Sequence, residues 1–129
     1  MLLEQALAGG ILLAKENATV LSVLPVVLAK VSHALDPPAL KRAAQMRGVE
    51  SEMGMLLALA GDLTGDVRLA DLASDYPKRT DHEFFLKSDA SSSRLQRRAE
   101  ECTPEVVRSW GFLMNASRAD FADRVKKSA

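Results

Sequence analysis

The stretch that most constrains this chain runs from Asn17 to Leu35 and is apolar on nearly every side. Val20, Leu21, Val23, Leu24, Val27, Leu28, Val31 and Leu35 cover most of a helical cylinder, and only a narrow stripe through Thr19, Ser22, Lys30 and His33 is polar. Such a segment reads as a central helix that other helices must surround. Its uncharged run, Asn17 to Ala29, is 13 residues long, whereas a membrane span takes about 18 or more. It is expected to be a core helix, although a second copy of the chain is an alternative cover for so apolar a surface.

Helix punctuation recurs along the rest of the chain. Leu3, Ala6, Leu7, Gly10, Leu13 and Ala14 repeat at helical spacing, with Gly9 and Gly10 expected to mark close approach of a neighbouring helix. Asn17 is placed to cap the central helix, and Pro25 inside it predicts a kink or a junction of two helices near Leu24. Asp36-Pro37-Pro38 opens a third helix that Gly48 stops, with Asp36 as its cap. A fourth carries Met53, Leu56, Leu57, Ala60 and Leu63 to Gly65, and Asp66 caps a fifth carrying Leu69, Leu72, Ala73 and Tyr76 to Pro77.

Residues 77–93 break the pattern and read as a long loop, pinned by Phe84 and Phe85, in which an isolated strand at Glu83–Lys87 would lack a partner. Arg94–Glu101 is a charged helix. Thr103-Pro104-Glu105 starts another, predicted to turn Val106, Val107, Trp110, Leu113 and Met114 inward. Ser117-Arg118-Ala119-Asp120 resembles a capping box for a last helix docked by Phe121 and Val125, with Lys126, Lys127 and Ala129 frayed.

The expected fold is therefore all-α, a compact bundle of about seven or eight short helices in one domain, 1–129. Its parts are a Leu/Ala-rich helical part (1–76), the long loop (77–93) and an aromatic-containing basic helical part (94–129).

Charge narrows the function classes. Residues 1–76 hold 6 Lys/Arg against 9 Asp/Glu, a net of −3, and residues 77–129 hold 11 against 8, a net of +3. That asymmetry is small beside the basic excess of most DNA-binding domains, which draw affinity from phosphates. The lone Cys102 precludes an internal disulfide, and Glu4 stands where an export signal wants positive charge, so a cytoplasmic location is expected.

His33 and His82 lie far apart, with no His-x-x-x-His, Cys-x-x-Cys or Gly-Lys-Ser/Thr phosphate loop, so neither metal nor cofactor is expected. Asp62 with Asp66, and Asp71 with Asp75, stand four apart as magnesium ligands can, but helix ends use carboxylates as caps. His33 reads as a solvent-side residue.

Arg94, Arg97 and Arg98 share one side of the charged helix, and with the preceding loop residues Lys78, Arg79 and His82 they form the candidate surface for a partner. A protein partner is the leading expectation. Nucleic-acid binding through the late basic helices is the second, and a small enzyme using the Asp81–His82 loop is the third.

Two stretches, Ala18-Thr19-Val20-Leu21 through Leu24-Pro25-Val26-Val27-Leu28 and Leu56-Leu57-Ala58-Leu59-Ala60-Gly61-Asp62-Leu63-Thr64-Gly65-Asp66, resemble helical antitoxin-like proteins encoded beside nucleotidyltransferase-type toxins in bacteria. The resemblance implies a bacterial adaptor that neutralises or regulates a neighbouring protein. It implies no particular site residue, and no DNA-binding head of the kind many antitoxins carry is visible in the sequence.

Overall fold

The computed structural model describes residues 2–128, and these form an all-α fold. Eight α-helices follow one another: α1 (Leu3–Ala14), α2 (Ala18–Val31), α3 (Pro37–Arg47), α4 (Glu50–Thr64), α5 (Val67–Ala73), α6 (Ser93–Cys102), α7 (Glu105–Ser109) and α8 (Arg118–Ser128). Short 3₁₀ turns at Ser32–Ala34 and Lys87–Ala90 and the two-residue strands β1 (Glu83–Phe84) and β2 (Phe112–Leu113) complete the described residues. Among these residues no helix is long and apolar enough to cross a membrane.

Most boundaries follow local chemistry. Asn17 Oδ1 accepts from the amides of Thr19 (2.9 Å) and Val20 (3.2 Å), satisfying donors that the first turn of α2 leaves free. Gly48 and Gly65 end α3 and α4 at φ +67° and +73°, a conformation that glycine adopts without a Cβ clash. Ser117 and Asp120 make the reciprocal capping box, Ser117 N–H to Asp120 Oδ2 at 2.9 Å and Asp120 N–H to Ser117 Oγ at 3.2 Å. Lys126 and Lys127 remain helical, while Ala129 lies outside the described residues.

Asp36 occupies the cap position of α3, but its side chain makes no capping bond. Pro37 and Pro38 follow it directly, so the first two positions have no N–H to offer. Instead the Asp36 amide donates to Glu4 Oε2 at 3.0 Å, tying α3 to α1 and giving the buried Glu4 a donor.

The helix at the centre is α4 rather than α2. Glu52 to Leu57 are all buried, as are Leu59, Ala60 and Gly61, and α1, α2, α3, α5, α7 and α8 all pack against it. In contrast, α2 turns Thr19, Val27 and Lys30 outward, and Val27 is 36% exposed. It runs unbroken through Pro25 from Ala18 to Val31. The acidic Glu52 is accommodated because Lys15 Nζ, at the end of α1, reaches it at 2.6 Å.

The glycines also exchange roles. A Cβ on Gly9 would meet nothing within 4 Å, and one on Gly10 would make only an ordinary contact with Leu24 at 3.6 Å, so neither marks a close approach inside the chain. The close approach is at Gly54, where the Trp110 ring and Tyr76 press on α4. Gly9→Ala is thus expected to stabilise the fold by about 0.5–1 kcal/mol, because the helix gains propensity without a clash. Thermal denaturation followed by circular dichroism checks this.

Residues 77–85 are a strap bound to the segment after α7. Arg79 N–H donates to Trp110 O (3.2 Å), Glu83 N–H to Gly111 O (3.0 Å) and Phe85 N–H to Leu113 O (2.9 Å). β1 and β2 pair in parallel, Glu83 opposite Phe112 and Phe84 opposite Leu113. The strand suspected near Glu83 therefore has a partner, taken from residues expected to be helical. Gly111, at φ +87°, is the cause: it turns the chain out of α7 immediately after Trp110. Trp110, Leu113 and Met114 are nevertheless buried, now from a turn and a strand. Phe85 is fully buried edge-on to Phe112, the ring centroids 5.8 Å apart.

Candidate functional site

The arginine side of α6 is built by helical spacing. Ser92 Oγ caps the helix by accepting from Leu95 N–H at 3.2 Å. Ala99 is buried with Leu95 and Cys102 half-buried along the same stripe, which turns Arg94, Arg97 and Arg98 to solvent. With Glu101 they line an open trough of about 370 Å³. Among the described residues none of the three guanidinium groups lies within ion-pairing distance of a carboxylate, their helix neighbours Glu100 and Glu101 included.

The helix beneath them is firmly held. Asn115 Nδ2 donates to Leu95 O (3.2 Å) and Gln96 Nε2 to Ala90 O (2.8 Å). Thr103 Oγ1 accepts from the Met114 amide (2.9 Å), and Arg108 donates to the carbonyl of Glu100. Arg108, which could have joined the cationic face, is thereby used as an anchor. The buried Asp89 accepts from the Asn115 amide at 3.2 Å and fixes the turn that leads into α6.

The loop residues expected to extend this surface have other positions. Arg79 pairs internally, with Asp81 at 3.1 Å and Glu83 at 3.2 Å, and its guanidinium lies 5.9 Å from the Phe112 ring centre. Asp81 is therefore held by Arg79 rather than by His82, and His82 is exposed with no hydrogen-bond partner among the described residues. Lys78 stands over Trp110 at 5.2 Å from the ring centre. It borders a different groove from the one lined by the α6 arginines.

That second groove, of about 590 Å³, lies between α4, α5 and α7. Its walls are cut by small residues, Ala58 and Gly61 on α4 and Ala70 and Ala73 on α5, with Val106 and Trp110 opposite. Sequence reading passed over it, although both small pairs stand three apart, the helical spacing that clears one face. Asp62 and Asp66 reach its edge but are engaged elsewhere: Asp62 with Arg118 Nε at 2.9 Å, and Asp66 as the cap of α5, accepting from Arg68 N–H at 3.0 Å. Among the described residues no three histidine, cysteine, aspartate or glutamate side chains converge as metal ligands. His33 is exposed at the far end of α2, and Cys102 is half-buried at the end of α6.

The proton affinity of Tyr76 is clearly displaced. Burial, then the negative charges of Asp75 and Glu50, push its phenol well above the ordinary value of 10.0. Its hydroxyl has no hydrogen-bond partner among the described residues, and Lys41 Nζ sits 4.6 Å from its ring centre. Because the folded phenol keeps its proton where the unfolded one loses it, this group leaves stability independent of pH below about pH 10 and lowers it as pH rises beyond that. Tyr76→Phe is expected to leave stability at pH 7 unchanged or slightly higher and to flatten the alkaline loss. Denaturant unfolding at pH 7 and above pH 10 measures both.

No family model, curated protein or solved structure matches the chain, so its function is argued from the geometry above.

Proposed function

We propose that this chain is a protein-interaction module that binds an acidic surface of a partner through Arg94, Arg97 and Arg98. The observation that carries the reading is that, among the described residues, three guanidinium groups on one anchored helix have no carboxylate within ion-pairing distance. Arginine forks match carboxylates in two-point geometry, and a helix held by side-chain bonds presents them on a backbone that needs no further ordering. His82 and Lys78 are exposed beyond this face, whereas Arg79 serves the fold. The resemblance of the α2 and α4 sequences to antitoxin-like proteins points to a neighbouring toxin of the nucleotidyltransferase type as the partner.

The test is co-purification of the tagged chain from its own host at low salt, with and without nuclease. A protein eluting in stoichiometric amount after nuclease treatment is the expected result. Its affinity for the Arg94→Glu, Arg97→Glu, Arg98→Glu triple variant should fall at least about ten-fold, since like charges would then face each other. The circular dichroism of the variant should be unchanged, because all three side chains are exposed. Recovery of nucleic acid alone, lost on nuclease treatment, would sink the proposal in favour of phosphate binding by the same arginines.

A further inference from the structure

We propose that the groove between α4, α5 and α7 binds an amphipathic carboxylate, its carboxyl group paired with Lys78 and its apolar part laid against Ala70, Ala73, Val106 and Trp110. This is a different surface from the arginine face and a different class of ligand.

Volume is the first argument. The groove is open to solvent and spans about 590 Å³, a volume within the range of roughly 300–1,000 Å³ that small-molecule sites occupy. The space exists because alanine stands where larger side chains would have closed it, Ala58 on one wall and Ala70 and Ala73 on the other, while Gly61 lets α5 pack closely against α4. Gly61 cannot be enlarged without disturbing α5, since a Cβ there would lie 3.2 Å from the Ala70 amide nitrogen. Ala70, by contrast, is exposed, and so is Val67 on the rim at 69%.

Charge decides the polarity of the ligand. Three charged residues reach the groove: Asp62, Asp66 and Lys78. Both carboxylates are already compensated, Asp62 by Arg118 at 2.9 Å, and Asp66 by the α5 amide, by Ser32 Oγ at 3.3 Å and by Arg68 at 3.7 Å. Among the described residues Lys78 has no carboxylate within ion-pairing distance and is held over the Trp110 ring instead, its Nζ 5.2 Å from the centre. The charge left uncompensated beside the apolar walls is therefore positive. An anion at Lys78 gains a partner, while an alkylammonium there would meet a like charge.

Trp110 is the single tryptophan of the chain and lines the groove, so its emission reports occupancy. The probes are octanoate and octylamine at neutral pH. Octanoate is expected to give a saturable change below about 10 mM, and octylamine at the same concentrations none. Lys78→Gln should weaken octanoate roughly five-fold, the loss of one partly exposed charge-assisted contact. Ala70→Leu should remove the response by filling the groove while the helical circular dichroism persists. Lys30→Gln, at an exposed lysine on the outer face of α2, should bind as the unaltered chain does. The proposal is overturned by an octanoate response that fails to saturate, by equal responses to both probes, or by undiminished binding to Lys78→Gln.

Discussion

Replacing Gly54 with alanine is expected to destabilise the protein by about 3 kcal/mol, the upper part of the usual range for inserting a methyl group into a filled core. The new Cβ would stand 2.6 Å from Trp110 Cη2 and 2.6 Å from Tyr76 Cβ. Neither neighbour can move aside cheaply. Tyr76 meets it with the first carbon of its side chain, which moves only with the backbone after α5, and Trp110 is 4% exposed just before the Gly111 turn. The gain in helix propensity, about 1 kcal/mol, is too small to offset the clash. Denaturant unfolding should show a lower midpoint at unchanged slope, and Gly9→Ala provides the control in which the same chemical change raises it. Equal responses of the two variants would show that Gly54 is not a packing contact.

Phe85→Ala is expected to cost about 3–5 kcal/mol, the range for deleting a fully buried phenylalanine. Its ring supports Phe112 edge-on and lies 5.9 Å from Lys15 Nζ, so the loss falls where the strap, α1 and β2 meet. Hydrogen exchange distinguishes this from a uniform weakening: the amides of Arg79, Glu83 and Phe85, all bonded to residues 110–113, should lose protection before those of α4.

Most helices of this fold were legible because several of their ends carry a chemical signal of their own: Asn17, Gly48, Gly65, Asp66, and the Ser117–Asp120 box. The centre was not. Hydropathy reports how apolar a helix is but not which neighbours cover it, so α2 with its uncharged, valine- and leucine-rich run outshone α4, whose Glu52 and Gly54 look like interruptions. Both are explained only by partners distant in sequence, Lys15 for the carboxylate and Trp110 with Tyr76 for the missing side chain. The parallel β1–β2 pairing was hidden for the same reason, since its register links residues 83–84 with 112–113. Gly111 was the local signal available, and it was read through as part of a helix. The arginine face of α6 was legible from spacing alone, but the internal pairing of Arg79 and the groove beside Lys78 depend on how the strap folds back.

The β1–β2 pairing also works as a clasp. It closes the base of an excursion in which α6 contributes only Ala99 as a fully buried side chain, while Phe85, Trp110 and Phe112 at the clasp belong to the core. The helix that carries the proposed recognition surface is thus interchangeable in a way that α4 is not. Substitution at the exposed positions of α6 is expected to change the preference of the proposed surface among acidic partners, while the core around α4, to which α6 gives only Ala99 as a fully buried side chain, keeps its packing.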